Sequence, residues 1–310
     1  MEENKKRIRS VWRRVSRQTV RSMSEHNILE SDAEFDDIHD TINSRDEEGC
    51  TDLWYEADDG HVDNVRDLLE RGADTDIVDI WGISPLGVAA YRGHRPVCQV
   101  LCDHGAGLDN VDRSGSSPLV MAAKEGHLDI CRLLCDRGCD LNISGWRHDY
   151  FQNLILIFLG TSGFSALWFT ASNGHEDICK LLCDSGADVD IPDQDGVTPL
   201  SAASLNGHAG VCDILCKAGA YTNIKDREGG TALGRAAAKK HFDICKILLE
   251  HGADGEQAGD HLDDLLSWAA EHGLANVCQS LLKAGADIHL YQNNILQKYC
   301  YKQQENCVNI

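Results

Sequence analysis

Gly196-Val197-Thr198-Pro199-Leu200, followed by Asn206-Gly207-His208 and then Leu215-Cys216-Lys217-Ala218-Gly219-Ala220, decides the fold, because the same three phrases recur along the chain. The closing glycine returns at Gly72, Gly105, Gly138, Gly186, Gly219, Gly252 and Gly285, in steps of 33 residues apart from one step of 48. A fixed period of this length marks a stacked array, in which each unit buries its apolar face against its neighbours. Thr198 caps the orphan amides of a helix start, and Pro199 fits the first turn, where no N–H is required. Ser84-Pro85 and Ser117-Pro118 repeat the device. A second helix follows the Gly-His turn, with Val97, Cys98, Leu101 and Cys102 in one copy and Ile244, Cys245, Leu248 and Leu249 in another at helical spacing. The recurrent glycine ends it, since glycine alone adopts a left-handed C-terminal cap at little cost. Each unit is therefore helix, turn, helix, loop.

These phrases resemble the ankyrin repeat family, whose motif runs Asp-x-x-Gly-x-Thr-Pro-Leu, Ala-Ala, Gly-His, Leu-Leu, Gly-Ala-Asp. The resemblance covers residues 46–289 in about seven units. It implies an all-α ankyrin-repeat solenoid of stacked antiparallel helix pairs with β-hairpin loops and a concave face that grips partner proteins. The histidine that commonly follows Pro-Leu in the family is replaced by Gly87, Val120, Trp168, Ser201 and Gly234, so its local hydrogen bond to the turn is expected to be missing. Unit one lacks the proline at Thr51-Asp52-Leu53, and the last unit, near Asp263-Asp264-Leu265-Leu266, has lost Gly-x-Thr-Pro. Both look like polar caps on a stack.

At 310 residues and 42% apolar content, the chain can bury a core that is continuous from neighbour to neighbour. A net charge of -21 argues against a general nucleic-acid surface. There is no secretory apolar segment, and the longest apolar run, Leu154 to Leu159, is far below the ~20 residues of a membrane span. A cytoplasmic protein is the expectation, with nuclear or peripheral membrane placement as alternatives.

Fourteen cysteines look like a redox or metal statement until they are placed in register. Cys98, Cys131, Cys179, Cys212, Cys245 and Cys278 share one site of the second helix, where unit one has Val65; Cys102, Cys135, Cys183 and Cys216 share another, where other units have leucine. Interchange with Leu and Val means packing, because an unpaired cysteine behaves as a small hydrophobe. Adjacent units should set equivalent positions about 8–10 Å apart, beyond the roughly 7 Å Cα limit of a disulfide. A closed zinc site needs four ligands, and no histidine falls beside the cysteines on that face. So many thiols imply a reducing compartment. His61, His94, His127, His175 and His208 recur at one place in the turn, which suits a structural residue better than a catalyst. No nucleophile, phosphate-cradling or kinase signature emerges, so neither catalysis nor a cofactor is expected.

Several segments break the period. Residues 1–22 form a basic arm in which Ile8, Val11, Trp12, Val15 and Thr19 share one helical face, suiting an anionic membrane or a groove of calmodulin type; Lys5-Lys6-Arg7-Ile8-Arg9 suits nuclear import, and a disordered arm is the plain alternative. Arg13-Arg14-Val15-Ser16 resembles a basophilic kinase site, and phosphate on Ser16 would weaken anionic docking. Residues 23–45 are an acidic linker, and 290–310 a C-terminal tail. An insertion near 145–160, carrying Trp146, Tyr150, Phe151 and the Leu154–Leu159 run, falls where a finger should join units three and four. It is a partner site, a β-aggregation hazard or a gene-model addition that leaves the flanking units intact.

The family resemblance places the partner surface at the loop tips and the solvent-facing ends of the first helices. In unit two these are Ile80, Trp81, Ile83, Tyr91 and Arg92, an aromatic and arginine cluster of the sort that supplies hot spots. Later units contribute Arg113, Lys124 and Glu125, then Phe164 and Asn173, then Gln194, Leu205 and Asn206, and finally Arg227 and Lys239. The acidic balance favours a partner with basic segments. The expected protein is a monomeric, non-enzymatic scaffold or adaptor. The alternatives are a membrane-anchoring or signalling adaptor using the basic arm, and a thiol or metal binding protein.

Overall fold

The computed structural model describes residues 42–145 and 163–287. The chain divides into two compact units, Met1–Ser44 and Arg45–Ile310, and the array lies in the second. The basic arm with Ser16, the acidic linker before residue 42, the apolar stretch of the insertion and the tail all fall outside the described residues.

Fourteen α-helices form seven pairs among the described residues. They are α1 Asp52–Asp59 with α2 Val62–Glu70, α3 Pro85–Arg92 with α4 Arg95–Asp103, α5 Pro118–Glu125 with α6 Leu128–Asp136, and α7 Ala166–Asn173 with α8 Glu176–Asp184. The series continues with α9 Pro199–Asn206 and α10 Ala209–Lys217, α11 Ala232–Ala238 and α12 Phe242–Glu250, α13 Leu262–Glu271 and α14 Ala275–Lys283. First helices pack on neighbouring first helices through unit six, where α11 packs instead on the 3-10 turn Gly255–His261, and second helices pack on second helices throughout. Leu53, Leu86, Leu119, Leu167, Leu200 and Leu233 are fully buried, one per unit at the same place, so the core is a ladder rather than a centre.

Local chemistry sets the helix limits. Thr51, Ser84 and Thr198 accept the amides of Trp54, Gly87 and Ser201 at 3.2, 3.1 and 3.2 Å, and Ser117, Ser165 and Thr231 repeat the cap. At the other end the Ala73 amide returns to Leu68 O at 2.9 Å across Gly72, and Ala220 to Leu215 O at 3.0 Å across Gly219. Gly219 has φ +93° with open space where a Cβ would stand, so backbone conformation alone requires glycine.

The Gly-His turn works across units. His94 Nε2 lies 3.1 Å from Asp58 O, His127 Nε2 3.1 Å from Tyr91 O and His208 Nε2 3.0 Å from Ser172 O, each an atom of the preceding unit. The ring fills the space above that unit's turn glycine: a Cβ on Gly174 would stand 2.5 Å from His208 Nδ1. Unit seven carries Leu274 at the histidine's place, and at the corresponding turn of unit six the glycine gives way to Lys240, at φ 60°. Where no histidine presses down, a side chain is tolerated.

A second set of rungs joins the loops after the second helices. Asp76 Oδ1 accepts the Gly107 amide, Asp109 Oδ1 that of Asp140 and Asn223 Oδ1 that of Asp254, all at 2.9 Å between residues 31 apart. Over the insertion the same bond links Asn142 Oδ1 to the Asp188 amide at 2.9 Å, now between residues 46 apart. The stack keeps its register across the extra residues.

Two features differ from the sequence expectation. The loop fingers form no strand among the described residues. Two backbone bonds close each, as from Asp79 N to Ile83 O at 3.1 Å and from Gly82 N to Asp79 O at 3.0 Å, and Asp79 Oδ1 takes the amides of Trp81 and Ile83 at 2.9 and 2.8 Å, so the finger ends in a tight turn rather than a ladder. The hydrogen bond expected to be missing after Pro-Leu is replaced in part: Trp54 and Trp168 donate Nε1 to Ile83 O and Val197 O of the next finger, both at 3.0 Å. In unit seven α13 starts at Leu262 behind a 3-10 turn, Gly255–His261, whereas α14 keeps the period.

Gly219→Ala is expected to cost about 1 kcal/mol from left-handed strain, and Gly174→Ala clearly more, because the methyl also displaces His208. Lys240→Gly is expected to stabilise by about 1 kcal/mol. Urea unfolding of the three variants checks the order.

Candidate functional site

An aspartate heads each described finger of units one, two, three, five and six: Asp46, Asp79, Asp112, Asp193 and Asp226. In each, Oδ1 accepts the amides two and four residues on, so one carboxylate oxygen builds the turn. The other oxygen depends on the residue nine positions later, on the first helix. In unit one Tyr55 Oη donates to Asp46 Oδ2. In unit six Arg235 donates through Nε at 2.9 Å and through Nη2 to Asp226 Oδ2, a pair whose carboxylate side chain is only 1% exposed. In units two, three and five that position holds Val88, Met121 and Ala202, which have nothing to donate.

The electrostatics follow. Burial raises Asp79 and Asp193 above the ordinary carboxylate range, in spite of the two backbone amides each accepts. Burial pushes Asp226 the same way, but the Arg235 guanidinium and the turn amides hold it below its ordinary value.

Between the fingers and first helices of units two and three lies a cleft of about 180 Å³, lined by Ile83, Val88, Tyr91, Asp112, Ser114, Ser116, Val120, Met121 and Lys124. The absence of a side chain at Gly87 admits Met121: a Cβ there would stand 3.3 Å from its sulfur. Ser114 Oγ donates to Asp112 Oδ1 at 2.6 Å and lies 3.0 Å from Ser116 Oγ. Lys124 Nζ sits 5.4 Å from the centroid of the Phe169 ring.

The structure distributes the residues chosen from sequence into several settings. Ile80, Trp81 and Tyr91 are exposed at 42%, 61% and 42%. Ile83, Tyr91 and Lys124 meet in the cleft. Arg92 is engaged with Asp58 Oδ1 at 2.7 Å. Asn173 and Asn206 donate to carbonyls of the preceding unit, at Lys124 and Ser172. Phe164 stacks on Trp168, centroids 4.2 Å apart, and is half-buried with Leu205. Arg113, Glu125, Gln194, Arg227 and Lys239 are exposed, with Arg113 and Arg227 donating their amides to Trp81 O and Asp195 O of the neighbouring fingers. Sequence reasoning missed Asp112, Val88 and Met121; the nine-residue offset from each finger aspartate was the signal that pointed to them.

The twelve described cysteines are free, and Cys98, Cys131, Cys179, Cys212 and Cys245 are wholly buried along the second helices. Burial pushes the Cys131, Cys212 and Cys245 thiols up to about 12 and Cys216 to about 11. Hydrogen bonds from Cys139 and Cys179 lower the half-buried Cys135 and Cys183. Among the described residues no group of three or more His, Cys, Asp or Glu side chains could hold a metal ion, and no helix is long and apolar enough to cross a membrane.

A family model of ankyrin repeats (3 copies) matches residues 40–144, 149–226 and 221–292. The chain belongs to the ankyrin repeat family. Ankyrin repeats are in general protein–protein interaction modules, typically without catalysis. The chain is similar to the ankyrin repeat and KH domain-containing protein mask-1 of Caenorhabditis elegans, 40% identical over 53 residues that make up 17% of this chain and 2% of that protein. Among solved structures, the ankyrin repeat protein EF0377 is 27% identical with a TM-score of 0.56, covering 64% of this chain and 96% of its own. An ankyrin repeat domain from Acinetobacter baumannii AYE is 25% identical with a TM-score of 0.56, covering 65% and 97%.

Asp226→Asn is expected to cost about 2 kcal/mol at pH 7, the worth of a charge-assisted bond. Asp79→Asn keeps the turn acceptor and removes a charge that burial penalises, so it is expected to be neutral or stabilising. The Asp226 contribution is present above the ordinary carboxylate pKa and lost as pH falls through its depressed value; the Asp79 penalty is relieved as pH falls through its raised value. Melting curves should therefore separate the two variants at pH 7 and bring them together only as pH falls through the depressed Asp226 value. Maleimide at pH 8, read by peptide mass mapping, is expected to modify Cys135 and Cys183 ahead of the other described thiols, with Cys98, Cys131 and Cys245 protected until unfolding.

Proposed function

We propose that this protein is a non-catalytic scaffold or adaptor that binds a partner protein through its finger tips and the concave side of the stack, centred on units two and three. One observation carries the reading: of the five large apolar side chains exposed among the described residues, three, Ile80, Trp81 and Tyr91, belong to the finger and first helix of unit two. Large aromatic side chains held on a rigid stack contribute contact area at small entropic cost, which is the chemistry of hot spots. The excess of 50 acidic over 29 basic residues favours a partner that presents basic segments. Free buried thiols suit a reducing compartment such as the cytoplasm. Anchoring to an anionic membrane through residues 1–22 draws on no described residue.

Trp81→Ala with Tyr91→Ala is expected to leave the melting transition nearly in place, because neither side chain belongs to the buried core, and to remove specific partners from an affinity purification. An unchanged set of partners in a folded double variant would reject this surface.

A further inference from the structure

Unit six shows what the second oxygen of a finger aspartate can take. There Arg235 reaches from the first helix and places two guanidinium N–H groups on Asp226 Oδ2. Unit three has the same aspartate, Asp112, with its Oδ1 used in the same way for the amides of Ser114 and Ser116. The residue in register with Arg235 is Met121, too short and without a donor, and no described residue bonds to Asp112 Oδ2. Beside Met121 and Asp112 lies the open cleft of about 180 Å³, with Ile83, Val88, Tyr91 and Met121 as its apolar walls. The walls suit the three methylenes and flat face of an arginine, and the carboxylate suits its fork of donors. Of the other charges nearby, Lys124 also lines the cleft, with Nζ 5.4 Å from the centroid of the Phe169 ring, Arg113 is exposed, and the Asp79 carboxylate repels that of Asp112.

We propose that this cleft receives an arginine side chain from the partner, its guanidinium paired with Asp112 as Arg235 is paired with Asp226 within the chain. The assignment rests on the surface proposed above and names the residue that the partner brings to it. Guanidinium is favoured over ammonium because its planar fork holds two N–H groups in fixed geometry towards one carboxylate, the arrangement that unit six already displays. The partner is then an extended basic segment with an arginine flanked by apolar residues that meet Tyr91 and Trp81.

The chain has three methionines, and Met121 lies in the cleft, so ¹³C-methyl-methionine labelling of the full-length protein places a reporter there. The probe is a nine-residue peptide of alternating leucine and arginine, with a copy carrying the neutral isostere citrulline. The expected result is a saturable shift of the Met121 methyl signal with the arginine peptide and none with citrulline. Asp112→Asn keeps the Oδ1 acceptor of the turn and should weaken binding at least tenfold, whereas Asp195→Asn, an equal change of charge on an exposed finger, should alter it less than twofold. Met121→Arg, which copies unit six, should abolish binding of a fluorescent form of the peptide in an anisotropy titration. A stationary Met121 signal, equal binding of the citrulline peptide, or equal losses in the two aspartate variants would overturn the assignment, as would full binding by a folded Met121→Arg variant. If these fail while the Trp81 and Tyr91 double variant still loses its partners, the arginine is wrong and the surface stands. If the double variant keeps its partners, the surface itself is wrong.

Discussion

Each unit of this stack finishes the hydrogen bonding of the one before it, and the register of the array depends on that transfer. The histidine rings reach back to carbonyls left open at the ends of the first helices, and the Asp and Asn side chains of the second loops take up amides of the following unit. A buried or half-buried backbone group without a partner is costly, so a unit slipped by one residue would lose several bonds at once. Burial supplies most of the stabilisation through the leucine and cysteine ladders, but apolar packing tolerates small slips that directional bonds do not.

The fingers apply the same economy to function. A single aspartate oxygen builds each turn, which frees the other for whatever the first helix presents nine residues later. Tyr55 and Arg235 close it in units one and six, and units two, three and five carry apolar residues at that place. Among the described fingers, those of units one and six thus have both carboxylate oxygens bonded within the chain, whereas those of units two, three and five face apolar residues, and unit two also carries exposed aromatic side chains. Burial raises Asp79 and Asp193, and the charges of Arg113 and Arg235 offset it only in part.

The helix pairs were legible because caps and periodicity are local: Thr198-Pro199 and Gly219 declare their conformations without reference to the rest of the chain. The role of the cysteines was legible from their exchange with Leu and Val at fixed positions. The cleft was harder to see, since it depends on an offset that crosses from loop to helix. Asn173 and Asn206 illustrate the converse: as exposed polar residues on the expected face they look available, yet both are spent on carbonyls of the preceding unit. The bond from Trp168 to the next finger also lies beyond local reading, because its acceptor comes 29 residues later.

The histidine that seals each turn belongs to the following unit, so the array has a direction. Five turn glycines, from Gly60 to Gly207, are roofed by the ring of the next module, whereas Lys240 and Gly273 near the other extremity have none. Thermal opening should therefore be asymmetric, starting where the roof is absent and travelling towards unit one, with hydrogen exchange graded along the chain in that order.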